Sequence, residues 1–260
     1  MSDGDRAEEP TTWYGSRDSP WERPFDGGEP IWTDSLEVTY LTDASAAAAV
    51  LPPPLEPSDA SLVRMSIASW TDIDDSPAGE ARVSVQATLD GLLGEYPLLV
   101  CHTSEAAVIE DREILGSPAK LAEVTSVING KRIDNRFERD GRLVGRIVGT
   151  VNRPDRTDTR RRTEFMFRTI RSVEDSARLD RDPELLKVSC VVEERRAATI
   201  GGIVRLGRSE FDPIADLPMR HIRGTRLVQQ FARRRVESSQ QVSASAFEPF
   251  LHQRYDSRSV

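Results

Sequence analysis

Apolar and polar residues alternate through much of the middle of the chain. Leu36-Glu37-Val38-Thr39-Tyr40-Leu41 and Leu62-Val63-Arg64-Met65-Ser66-Ile67 carry apolar side chains at nearly every second position, the period of a strand with one buried face. Arg82-Val83-Ser84-Val85-Gln86-Ala87-Thr88-Leu89 has the same period, with polar residues on one face, which fits a strand lining a wet cavity. Further strands are expected at 98–102, 143–151, 163–170, 186–193 and 197–206, separated by Asp90-Gly91, Asn129-Gly130, Asp140-Gly141 and Gly201-Gly202. Helices are few. Asp43 is positioned to cap a short alanine-rich helix that must stop before Pro52-Pro53-Pro54, and the stretch from Thr225 to Arg235 fits helix or strand. Many antiparallel strands with few short helices predict a mainly antiparallel α+β fold, a barrel or sandwich.

The alternating body is framed by two polar extensions. Residues 1–29 are acidic and rich in Gly and Pro, with Trp13, Tyr14, Trp21 and Phe25 set without period, and read as an extended or disordered arm. A domain over 30–235 follows, and then a polar tail over 236–260 in which Phe247-Glu248-Pro249-Phe250-Leu251 can dock. No apolar run approaches the roughly 18 residues of a membrane span, and the first residues lack a signal peptide's basic and apolar regions, so a cytoplasmic protein is expected. A formal charge of −8 disfavours nucleic acid as the main partner. The arginine clusters at Arg160 to Arg162 and Arg233 to Arg235 read as solvated faces or subunit contacts. Cys101 and Cys190 lack metal-ligand spacing, the histidines at 102, 221 and 252 are scattered, and no glycine-rich phosphate loop precedes a helix, so no metal or cofactor is expected. Only three of the 35 basic side chains are lysines, namely Lys120, Lys131 and Lys187, and a lysine, unlike an arginine, readily gives up its proton when buried.

The segment Asp111-Arg112-Glu113-Ile114-Leu115-Gly116-Ser117-Pro118-Ala119-Lys120 resembles the active-site segment of the acetoacetate decarboxylase family, where Gly-Arg-Glu is followed by Pro-Lys-Lys. Val38 to Asp43, Leu51 to Pro57, Gly94-Glu95-Tyr96 and Phe211 to Met219 resemble further landmarks of that family, in the same order, over about 36–230. The resemblance implies a closed, cone-shaped barrel with a buried pocket, assembly into homo-oligomers, and action on a small keto or enol compound. It also implies that the family's Schiff-base lysine falls at Ala119, its second lysine at Lys120, its pocket arginine near Thr33 and its strand glutamate near Val83 or Ser84. Alanine forms no imine, and neighbours in a strand face opposite sides, so Lys120 replaces the missing amine only if a bulge swings it inward.

The candidate site is therefore Glu113 as acid or base, Lys120 as a relocated nucleophile, Arg112 as a bidentate carboxylate binder, and Ser84 and Gln86 as polar pocket walls. Arg112 and Glu113 equally serve to brace the turn by pairing. Three functions stay open: a divergent lyase without an imine, a Schiff-base lyase on Lys120, and a non-catalytic ligand-binding or subunit protein.

Overall fold

The computed structural model describes residues 31–71 and 76–256. The arm expected over 1–29, with its four aromatics, lies outside the described residues. In chain order the strands are β1 Thr33–Leu41, β2 Glu56–Pro57, β3 Leu62–Thr71, β4 Pro77–Leu89, β5 Leu92–His102 and β6 Ala119–Leu121. They continue with β7 Glu123–Asn129, β8 Arg132–Arg139, β9 Arg142–Pro154, β10 Thr159–Arg168, β11 Glu184–Leu206 and β12 His221–Gln241. The helices are α1 Ala44–Val50, α2 Glu105–Glu110, a π-helical turn Asp111–Leu115 and α3 Ala244–Phe247, with 3-10 turns at Ile214–Asp216 and Glu248–Gln253. No helix among the described residues is long and apolar enough to cross a membrane.

Strands β1, β3, β4, β5, β10, β11 and β12 pair in that order, and β12 returns to β1, closing a seven-stranded barrel with no free edge. Its pairings are antiparallel except β5 with β10. The two strands expected over 186–193 and 197–206 are one. β11 runs through both, with its irregularity between Glu194 and Arg196, because no turn residue interrupts Glu193-Glu194-Arg195-Arg196. Its first half pairs with β10 and its second with β9, so β7, β8 and β9 hang from the barrel as a side sheet. The undecided stretch from Thr225 is strand, part of β12. α1 occupies the expected place, but the Asp43 carboxylate does not cap it. That carboxylate takes a bidentate pair from Arg220 at 2.8 and 2.7 Å, a stronger partner than a backbone amide.

Strand alternation sends two different populations of side chains to the two faces of the barrel wall. Leu36, Val38, Tyr40, Val63, Met65, Ile67, Val83 and Val85 face outward and pack against Phe137, Val144 and Ile147 of the side sheet, all essentially fully buried. Each such side chain contributes roughly 1.5–3 kcal/mol. The C-terminal segment completes this outer core. Phe247 packs on Phe167 with ring centres 4.7 Å apart, and Gln253 accepts a 2.8 Å hydrogen bond from Tyr96. The intervening positions face the lumen, and these are largely polar, with Glu37, Arg64, Glu80, Arg82 and Glu164 among them.

Candidate active site

The segment singled out in the sequence begins where β5 ends at His102. Ser104 caps α2, its hydroxyl accepting from the Ala107 amide, and the helix then widens into the π turn that carries Asp111, Arg112 and Glu113. Gly116 ends the turn with φ +68°, and a Cβ there would stand 2.5 Å from the Arg168 Cα, so only glycine fits. The chain returns through Ser117 and Pro118 into β6, which pairs parallel to β5: Val100 beside Ala119, Cys101 beside Lys120, His102 beside Leu121.

That register decides where the two critical residues point. Ala119 shares the lumen face of Val100 and is fully buried in a small apolar cluster with Val100 and Val108. Lys120 shares the outward face of Cys101. Its ammonium donates to Asp256 Oδ1 at 2.8 Å, Asp212 Oδ1 at 3.0 Å and the Phe211 carbonyl at 3.2 Å, which uses all three of its donors. Arg139 bonds the other oxygen of each aspartate and closes the cluster. Burial works to raise the Asp256 carboxyl, but the hydrogen bonds from Arg139 and Lys120 outweigh it and hold it below its ordinary range. Lys120 also lines a cleft of about 420 Å³ with Arg112, Arg139, Arg254 and Tyr255.

The other expected site residues are divided between the two sides of the wall. Arg112 lies over the Tyr255 ring at 5.2 Å, in the outer cleft, and Glu113 beside it is exposed. Ser84 is buried on the lumen face, two residues from Arg82 along β4 and opposite the bulge in β5. Gln86 is half-buried, its carbonyl accepting from the Ser58 hydroxyl at 2.8 Å. The structure does not bring Ser84 together with Arg112, Glu113 or Lys120.

The lumen holds a set of charges that the sequence did not reveal as a site. Arg82 is 3% exposed. Its Nε donates to Glu80 at 3.1 Å and its Nη1 to Glu164 at 3.4 Å. Its Nη2 has no hydrogen-bond partner among the described residues and lies 4.0 Å from Asp111 Oδ2. Arg234 donates to Glu164 at 3.1 Å, and Arg162 stands 3.5 Å from the same carboxylate. Burial raises the Glu164 carboxyl, but Arg234, Arg82 and Arg64 prevail and keep it ionised below its usual range. Glu37 receives Arg160 at 3.2 Å and the Gln230 amide at 3.0 Å. The clusters Arg160 to Arg162 and Arg233 to Arg235, expected to be solvated faces or subunit contacts, therefore each send arginines into the barrel. Nor is the interior stripped of acid and cation, as the alignment of Thr33 and Val83 or Ser84 with the family implied: Glu80 and Arg82 stand just before that point of β4.

His102 belongs to this set. It is 7% exposed, and its Nε2 lies 3.2 Å from Asp111 Oδ2, while its Nδ1 has no partner among the described residues. Burial opposes ionisation of Asp111, yet the His102 hydrogen bond and the charges of Arg234 and Arg82 bring its carboxyl down to about 2. Asp111 occupies the first position of the Asp111-Arg112-Glu113 triplet, where the family has glycine. The departure itself was the available signal. Among the described residues no three His, Cys, Asp or Glu side chains gather in a way that would hold a metal ion.

A closed seven-stranded barrel with extra strands and few short helices is the fold of acetoacetate-decarboxylase-like proteins. The chain belongs to the acetoacetate decarboxylase family, whose sequence model matches residues 15–236. No curated protein sequence matches it. Among solved structures, an acetoacetate decarboxylase superposes with a TM-score of 0.70 at 19% identity, covering 87% of this chain and 97% of that one. Acetoacetate decarboxylase from Legionella pneumophila gives 0.69 at 17% identity, covering 82% and 86%. The enduracididine biosynthesis enzyme MppR, complexed with pyruvate, gives 0.64 at 18% identity, covering 87% and 96%. At such identities these likenesses establish the fold alone.

Proposed function

We propose that this protein is a divergent acetoacetate-decarboxylase-like enzyme that acts on a small keto or enol compound by proton transfer in the barrel lumen, without a Schiff base. The observation that carries this reading is the opposition of Ala119 and Lys120. A methyl group lines the lumen where the family resemblance puts the reactive amine, while the neighbouring ammonium has all three donors committed elsewhere. An amine attacks a carbonyl only with a free lone pair, and Lys120 is fixed by three acceptors on the far side of the wall from the lumen.

The lumen is suited to the remaining chemistry. Enolisation, retro-aldol cleavage, dehydration and decarboxylation of a keto acid all pass through an enolate-like state, which needs a base or leaving group on carbon and a cation or N–H at the oxygen. Buried guanidinium N–H donors without a partner among the described residues, on Arg82 and Arg162, supply the second requirement. Ser84 on the same face offers a hydroxyl to orient the ligand. In this reading Arg112 and Glu113 brace the outer segment, consistent with the Arg112 stack on Tyr255 and the exposure of Glu113.

The test is borohydride reduction in the presence of pyruvate, 2-oxobutyrate and acetoacetate, read by intact mass and peptide mapping beside a turnover assay on the same compounds. Turnover without a lysine adduct is expected. A reduced adduct on Lys120 would establish the second reading, a Schiff-base lyase, which is favoured by one observation: Lys120 lines the outer cleft beside the cationic Arg112, Arg139 and Arg254. The homo-oligomeric state and the cytoplasmic location belong to the same proposal, on family resemblance.

A further inference from the structure

We infer that His102 is the base that removes a proton from the carbon next to the substrate carbonyl, that Asp111 positions it, and that Arg82 donates to the enolate oxygen; this rests on the keto-compound reading above. The argument begins with a shared atom. Asp111 Oδ2 accepts from His102 Nε2 at 3.2 Å and lies 4.0 Å from Arg82 Nη2. An ionised carboxylate accepts only, so Nε2 carries a hydrogen, and in the neutral ring this tautomer leaves the lone pair on Nδ1. That lone pair and the Arg82 Nη2 hydrogens are both buried and both unpartnered among the described residues. A buried acceptor and a buried donor left unmade are costly in a folded protein unless a ligand completes them.

The surroundings fit a small carbon acid. His102 and Val100 lie on one face of β5, and Val100, Val108 and Ala119 form an apolar patch suited to a methyl or methylene group. Lysine at position 119 would have filled that patch with an amine. Alanine leaves it to the substrate's reacting carbon. In the step, His102 Nδ1 takes the proton, the C–H electron pair becomes the enol double bond, and the carbonyl π pair moves onto oxygen against Arg82. The imidazolium that forms is balanced by Asp111. Nothing is oxidised or reduced, and the reverse transfer reprotonates the carbon. The ligand class is a 2-oxo acid with an enolisable carbon.

The experiment follows deuterium entry at C3 of pyruvate and 2-oxobutyrate in heavy water by proton NMR, with 15N-histidine spectra of the unmodified protein beside it. The wild-type protein is expected to accelerate exchange, and His102→Gln to lose at least about 100-fold in rate with saturation unchanged. Asp111→Asn should lower the rate, and Asp111→Glu should recover part of it, since Asp111 acts through His102. The nitrogen spectrum should show His102 protonated at Nε2 and bare at Nδ1, with Nδ1 shifting when oxalate, a non-reactive mimic of the enolate, is added. Exchange in folded His102→Gln within threefold of wild type would overturn the inference. So would a protonated Nδ1 in the unmodified protein, a result that stands even where the variant fails to fold. If the wild type turns over a keto acid but exchanges neither probe, the inference fails alone. Absence of both exchange and turnover removes the reading beneath it.

Discussion

Ala119 and Lys120 are consecutive in β6 yet face opposite sides of the barrel wall, the methyl against Val100 and Val108 in the lumen, the ammonium against Asp212 and Asp256 outside. Opposition follows from the two-residue period of a strand, and the register of β6 on β5 fixes which residue takes which side. Moving the reactive group by one position is therefore not a small change. It moves it through the wall.

Installing the amine on the lumen side is the direct test of this geometry. Ala119→Lys should place an ammonium in the apolar patch of Val100 and Val108, where desolvation lowers its pKa and frees it for attack. Borohydride with acetoacetate is expected to leave a reduced adduct on residue 119. The added methylenes crowd a fully buried site, and an overpacking cost of about 1–3 kcal/mol should appear in urea titrations. Absence of any adduct in a folded variant would show that the lumen no longer accepts a keto acid at that point.

Removing the outer amine should act on stability. Lys120→Met leaves Asp212, whose side chain is 2% exposed, with a single cation, Arg139, where it had two. Breaking a buried ion pair by deleting one partner typically costs ~3–5 kcal/mol. The midpoint of urea unfolding should fall accordingly, and Asp256→Asn should cost less because Asp256 is more exposed. A Lys120→Met protein as stable as wild type would show that the cluster holds nothing together.

Much of the barrel was legible because alternation is a local signal. The expected strands at 36–41, 62–67 and 82–89 fall within β1, β3 and β4, and polar positions on the 82–89 strand do face the interior. The lumen site was hidden because its members are far apart in sequence. Glu164 meets Arg82 and Arg234 only when β10 closes onto β5 and β11 onto β12, and no spacing along the chain records that. Three consecutive arginines at 160–162 look like a solvated run, although in a strand their alternate members enter the barrel. α2 and the π turn went unread for a different reason. α2 spans only six residues and the π turn five, each shorter than the window over which helical periodicity can be counted.

The C-terminal segment should prove to be part of the body. Phe247 is fully buried between Phe167 and Phe250, and beyond it Arg254 donates to the Gly116 and Ser117 carbonyls while Asp256 holds Lys120. The segment thus braces the chain that leads into Ala119. Phe247→Ala is expected to lower stability by about 3–5 kcal/mol. Protease cleavage after Arg254 should become fast in the variant and slow in wild type. Equal cleavage rates would mean that the segment is detached in solution.

Acid should find the lumen before it finds the outer core. Asp111 is held at about 2 against an ordinary value of 3.8, through the His102 hydrogen bond and the charges of Arg234 and Arg82, in opposition to its burial. A carboxyl depressed in the folded state stabilises that state fully above its unfolded pKa and loses the contribution as pH falls through the folded one. The window therefore runs from about pH 4 down to about pH 2. At ~1.4 kcal/mol per unit, the Asp111 contribution is on the order of 2 kcal/mol. Glu80 and Glu164, also held low against their burial by neighbouring arginines, add in the same direction. Asp111→Asn has no carboxyl to protonate, so the stability gap between wild type and this variant should be widest above pH 4 and shrink toward pH 2. Chemical denaturation at a series of pH values measures it. A gap that stays constant across that window would mean that the Asp111 carboxyl is no more acidic in the folded protein than in the unfolded chain, and that its pairing with His102 and the arginines does not hold it.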